Sequence, residues 1–186
     1  MKEYTRKYPL FSLCGLNCGL CPRHYTEGKS RCPGCGGGDF HLLHPSCAVI
    51  TCSRKHGVIE YCCECTDFPC ERYTVANEHD SFISHRNVLK DLTAVKNKGI
   101  DNYKRELDIK VDFLTYLLQY CDDGKRKSFY CTAVNLLELE DILELSRQIK
   151  QTIGESALTV PKKAGYAAEL ISGRARSRGI ETKLRK

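Results

Sequence analysis

Eleven of the thirteen cysteines fall between Cys14 and Cys70, in the order Cys14, Cys18, Cys21, Cys32, Cys35, Cys47, Cys52, Cys62, Cys63, Cys65 and Cys70. Three close pairs recur: Cys18-Gly-Leu-Cys21, Cys32-Pro-Gly-Cys35 and Cys62-Cys63-Glu-Cys65. A CxxC turn points two thiolates at one cation, and two such turns complete a tetrahedral shell around Zn2+. Cys18, Cys21, Cys32 and Cys35, with ten residues between the pairs, predict one such site of the zinc-ribbon or treble-clef kind. Cys47, Cys52, Cys62 and Cys65 predict a second. Cys14 and Cys70 bracket the run and are expected to join a third site or to replace a ligand in one of the two. The chain is therefore expected to hold two or three Zn2+. Cys63 points away from its neighbour Cys62 and is expected to be a bystander, while His24, His41, His44 and His56 stand by to fill gaps.

Two other uses of these thiols compete. Thiolate-only ligation suits an iron–sulfur cluster as well as zinc, and that cofactor is the alternative. Cys14-x3-Cys18-x2-Cys21 has the spacing used by radical-SAM enzymes, but more cysteine-rich loop and then helices follow it, not alternating strands and helices. Disulfides would need an oxidising compartment. The charged start Met1–Lys7 and the short run Leu10–Leu13 do not make a signal peptide, and no stretch approaches the ~20 apolar residues of a membrane span. The expected location is the cytoplasm, with no membrane partner.

The elements that must position these thiols differ along the chain. Residues 1–74 contain 14 Leu, Ile, Val, Met or Phe, against 27 in residues 75–161. The first segment is short of apolar side chains for a core, the usual circumstance in which small modules rely on metal. Gly and Pro punctuate it, from Gly15 and Pro22 through Gly36-Gly37-Gly38 to Pro69, which favours knuckles and loops. Helical periodicity follows. Ser84 is a candidate cap for a stripe of Val88, Leu89, Leu92 and Val95 ending at Gly99, and Asp101 for one of Tyr103, Leu107, Val111, Leu114, Leu118 and Cys121. Ser128 opens a short helix through Cys131 and Val134. Asp141 opens another with Ile142, Leu145, Ile149 and Ile153 inward, and Pro161 suits the first turn of a last one carrying Ala164, Ala167, Ala168 and Ile171. The expected fold is mainly α: a loop-rich, cysteine-bearing zinc module, residues 1–74, packed on a bundle of four or five helices, residues 75–186.

The charge lies at one end. Residues 162–186 carry eight Lys or Arg against Glu169 and Glu181, which accounts for the whole net charge of +6. Such a tail can attract nucleic acid, but Tyr25, Phe40, Tyr61 and Phe68 are scattered and Trp is absent, so that partner is not favoured. The turn Asp122 to Ser128 combines cations with a helix start and could hold an anion, although a capped, solvated turn is the better reading. No Ser–His–Asp, paired-carboxylate or nucleotide-binding constellation is supported by spacing. A structural zinc module that presents a surface to another protein requires the fewest further features.

The order Cys14-Gly15-Leu16-x-Cys18-x2-Cys21-Pro22, Cys32-x-Gly34-Cys35, Cys47, Cys52, then Cys62-x2-Cys65-x-Asp67-Phe68-Pro69-Cys70 resembles an uncharacterised microbial family catalogued as domain of unknown function 3795. The helical half is similar in style at His85-Arg86-Asn87, Gly124 to Cys131 and Asn135-Leu136-Leu137. The resemblance implies metal binding through ten cysteines that exclude Cys63, and no particular activity. Lys125-Arg126-Lys127 departs from the family's text at that turn.

Overall fold

The computed structural model describes residues 3–57, 59–74, 79–154 and 157–186. Among them are eight α-helices and no strand: α1 Phe40–Leu43, α2 Ala48–Lys55, α3 Glu71–Thr74, α4 Val88–Lys98, α5 Ile100–Tyr120, α6 Lys127–Leu136, α7 Leu139–Gly154 and α8 Val160–Ser177. The fold is thus mainly α, with loops carrying the cysteines and a helical C-terminal part. The expected boundary after residue 74 adjoins residues 75–78, outside the described set.

The apolar stripes face inward as their spacing requires. Ile142, Leu145, Ile149 and Ile153 of α7 and Ala164, Ala167, Ala168 and Ile171 of α8 are all buried. On α5 the buried face is Tyr103, Leu107, Phe113, Leu114 and Leu117, with Val111 and Leu118 half-buried beside it. Helix starts differ from expectation. Ser84 caps nothing: α4 begins at Val88, and the Ser84 hydroxyl is instead held by Asp80 and Arg86. Asp101 lies within the first turn of α5, whose cap is Gly99 at φ 82°, so one glycine both ends α4 and starts α5. The N-cap of α6 is Arg126. Short polar residues suit caps only where the chain leaves extended backbone, and here local partners take Ser84 and Asp101, the latter pairing with Lys104 one turn along α5.

A single large core draws on both segments. Phe11, Leu20, Tyr61, Cys63 and Phe68 pack with Leu92, Tyr103, Leu107 and Leu114. A smaller core, Leu13, Cys35, Phe40 and Ile50, lies within the cysteine-rich loops.

The basic tail is fastened down. Arg174 and Arg178 both reach the fully buried carboxylate of Asp141 at 2.8 Å, and Arg174 also meets Glu144 at 2.6 Å. Burial alone would raise the Asp141 pKa, yet the two guanidiniums hold it below the usual carboxylate range. Further on, Arg185 pairs with buried Asp80 at 2.9 Å, and Arg86 donates to the carbonyls of Glu181 and Lys183. Three of the tail's cations are therefore internal counter-charges.

Candidate metal centre

Backbone hydrogen bonds fold the cysteine loops onto one another. The Gly19 N–H donates to Leu10, Cys32 to Arg23, Cys35 to Pro9 and Cys62 to Leu13, all within 3.0 Å. Gly34, at φ 86°, sits so close that a Cβ would lie 2.4 Å from the Pro9 carbonyl oxygen. Any side chain there would push the Cys32–Cys35 turn off the Pro9 strand of chain.

Asn17, between Cys14 and Cys18, ties these loops to the bundle. Its amide donates to Asp91 of α4 at 2.9 Å and to Asn135 of α6 at 3.0 Å, and its carbonyl accepts from Tyr103 of α5 at 2.9 Å. Asn135 in turn donates to the Ser84 carbonyl, and Asn87 to the Asn135 carbonyl. The network is buried and each amide has partners, which makes it specific to one register. Desolvation raises the Asp91 carboxyl to about 6, against the pull of Lys110, Tyr103 and Asn17.

All thirteen cysteines are free thiols, and most of those between Cys14 and Cys70 act on one another electrostatically, whereas Cys63 and Cys121 lie in the main core. Burial raises the Cys18 pKa well above that of a free thiol, and its ionisation is further opposed by Cys35, Cys14 and Cys32. Cys62 is pushed up to about 12 by burial, with Cys14, Cys70 and Cys52 adding to the shift. Tyr73 brings its hydroxyl to the Cys14 carbonyl at 3.5 Å and is itself perturbed by Cys62, Cys14 and Cys70. Cys14 also neighbours Cys47. Cys21 faces Cys32, and Cys131 of α6 faces Cys21. Coordination to a divalent cation deprotonates a thiol outright, so thiols grouped this way could serve as ligands.

A cavity of about 30 Å³ lies between α2, the Cys62–Glu64 turn and α3, walled by Cys52, Cys62, Cys65, Cys70, His56, Phe68, Arg72 and Tyr73 among others. At its rim the ligand atoms of His56, Cys65 and Asp67 all lie within 4.8 Å of one another. Four sulfurs on one tetrahedral zinc would stand about 3.8 Å apart, given Zn–S bonds of roughly 2.3 Å. Among the described residues that triad is the group of three or more donors whose ligand atoms all lie within 4.8 Å of one another. Thus Cys52, Cys62, Cys65 and Cys70 share the wall of that cavity, with Cys14 also acting on Cys62, while Cys47 packs against the smaller core that holds Cys35. Cys18 neighbours Cys35 and Cys32, and Cys21 neighbours Cys32, as looser constellations. Cys63 lies in the main core, its electrostatic neighbours being Glu64 and Lys96. His24 bonds the Cys32 carbonyl and His44 that of Pro45.

Arg6 was not legible in sequence as part of this site. Its buried guanidinium donates to the Phe11 and Glu60 carbonyls, stacks over Tyr61 at 4.7 Å, and pulls against the rise of Cys35, whose pKa burial lifts to about 11. A lone arginine in a charged leader gives no periodic or spacing signal. The turn before α6 offers no anion cradle: Asp122 accepts from the Gly124 and Arg126 N–H groups and Asp123 from Lys125.

Residues 10–75 match the model of a protein family described as a protein of unknown function (DUF3795). Over that segment the chain is similar to the family whose cysteine order it resembles. The matched range stops short of the helical-half positions, which the structure assigns to tail and joint contacts: Arg86 holds the C-terminal segment and Asn135 holds Asn17. No curated protein and no solved structure matches the chain.

Proposed function

We propose that the DUF3795 segment is a thiolate metal-binding module, that it holds Zn2+, and that its metals are structural supports for a surface read by another protein. The observation that carries this reading is the crowding of Cys14, Cys52, Cys62 and Cys70, and separately of Cys14, Cys18, Cys32 and Cys35, as buried or half-buried thiols. The chemistry of the donor set fits: soft sulfur with an imidazole, His56, on the same cavity wall suits zinc. Arg6 beside Cys35 would offset the negative charge of a thiolate-rich shell. Free thiols kept for metal are at home in a reducing cytoplasm, and no helix among the described residues is long and apolar enough to cross a membrane. Leu42 and Leu43, 73% and 51% exposed on α1 between Cys35 and Cys47, are the apolar surface available for a protein partner. The anchoring of Arg174, Arg178 and Arg185 weighs against a nucleic-acid arm.

Elemental analysis and native mass spectrometry of protein purified without added metal test the reading, with two or three Zn2+ per chain expected. Iron–sulfur ligation is the second reading, favoured by one observation. The thiol groups are looser than a single-ion shell requires, and several irons between the sulfurs would hold them farther apart. A coloured protein containing iron and sulfide would replace zinc with a cluster.

A further inference from the structure

Cys65 lines the same small cavity as Cys52, Cys62 and Cys70, and its thiol also meets His56 Nδ1 at 3.6 Å. We propose that His56, Cys65 and Asp67 form a separate divalent-metal site that takes Zn2+ through one thiolate, one imidazole and one carboxylate, leaving a coordination position open to solvent. The proposal deepens the metal-binding reading by giving Cys65 partners of its own, His56 and Asp67, at the edge of the thiol set around Cys62.

Two local structures create the site. His56 is the C-cap of α2, and Gly57 at φ 85° reverses the chain immediately after it. Cys65 and Asp67 lie in the turn closed by the Phe68 N–H on the Cys65 carbonyl. His56 Nδ1 is also 3.9 Å from Asp67 Oδ2, and all three donors fall within 4.8 Å. Bonds of roughly 2.0–2.3 Å from nitrogen, oxygen and sulfur to one zinc require donor separations only slightly shorter. One sulfur, one nitrogen and one oxygen donor select a borderline cation such as Zn2+ over Ca2+ or Mg2+, which need oxygen-rich shells. The His56 and Asp67 side chains are 35% and 65% exposed, so an ion there meets water directly. Three protein donors plus water is the composition that separates exchangeable or catalytic zinc from structural zinc. Without metal, the same triad is a hydrogen bond and an ion pair, and experiment separates the two.

Full-length protein is treated briefly with citrate, its metal content counted by native mass spectrometry, and ZnCl2 then returned stepwise. One Zn2+ equivalent is expected to leave first and to return at micromolar free Zn2+. His56→Ala and Asp67→Asn should each weaken that return at least tenfold while leaving the slowly released metal untouched; circular dichroism matching wild type confirms folding. Variants that take up this equivalent like wild type, or a wild type with no rapidly exchanging equivalent, overturn the site. Protein purified with iron and sulfide, or with no metal, would sink the structural-zinc reading, whereas the His56 and Asp67 dependence of added Zn2+ would still decide this one.

Discussion

The cysteine loops and the bundle of α4 to α8 reach order by different routes. In the bundle, local periodicity already aims Leu, Ile and Ala at one another, and the carboxylate of Asp141 adds a fixed cross-brace to α8. In the loops, the longest helix is the eight-residue α2, and order comes from backbone hydrogen bonds between distant turns and from thiols crowded by burial. The first region is self-consistent at short range, whereas the second is defined by what closes it. On the proposed reading, a metal would do in the loops what periodicity does in the bundle.

The largest expected effect follows directly. Zinc affinity in small modules is typically worth ~10–16 kcal/mol and is coupled to folding. Chelation, or Cys62→Ser with Cys14→Ser, should abolish amide protection across residues 10–75 while far-UV circular dichroism keeps most of the α5–α8 signal. Simultaneous loss of all helix would erase the contrast, and the shared packing of Phe11 and Tyr61 with Tyr103 is the physical route by which it would happen.

Next comes a change confined to the bundle. Arg174→Ala with Arg178→Ala leaves the buried Asp141 charge without its guanidiniums, a loss of about 3–5 kcal/mol to be read by urea denaturation, with metal content unchanged. The pH dependence has a definite sign. Because the folded Asp141 pKa is depressed, its contribution is present above the ordinary carboxylate pKa and fades as pH falls through the folded value. The acid limb of the stability curve should flatten in the double variant.

Asn17→Ala should sharpen the boundary between the regions. It strips partners from Asp91, Asn135 and Tyr103, and unsatisfied buried groups cost about 1–3 kcal/mol. The expected result is destabilisation of both regions and a smaller difference between metal-loaded and metal-free protein. A variant that destabilises only the loops would show that the joint is one-sided.

The smallest effect concerns Asp91 itself. With its folded pKa raised to about 6 by burial, the folded state keeps a proton that the unfolded chain loses, so stability falls as pH rises between about 4 and 6. The slope cannot exceed about 1.4 kcal/mol per pH unit, and Asp91→Asn should remove it in melts across that range.

The bundle was legible from sequence because a helix writes its buried face at fixed intervals: the α7 and α8 stripes were readable residue by residue. The starts of α4 and α5 were not, since Ser84 looks like a cap but is held by Asp80 and Arg86, and Asp101 lies inside the first turn and pairs with Lys104. In the loops the identity of the thiols was legible and their neighbours were not. Adjacent Cys62 and Cys63 separate, Cys62 lining the small cavity and Cys63 entering the main core, while Cys14 acts on Cys62 from 48 positions away. Spacing constrains which thiols share a turn; it carries no information about which turns meet. Arg6, Asn17 and Asp67 escaped for the same reason, since each acts through a contact distant in sequence or across a turn.

Anyone producing this protein would be tempted to trim its polar, charged flanks. Residues 3–8 and 180–186 read as disposable, yet Arg6 is sealed between Tyr61 and Glu60, and Arg185 sits on Asp80. Cutting the C-terminal flank strands the hidden carboxylate of Asp80, and cutting the N-terminal one removes a buried guanidinium from Tyr61 and Glu60. Affinity tags are better appended through a spacer than exchanged for these residues, and a shortened version that comes out insoluble would be reporting two missing guanidiniums, not a faulty core.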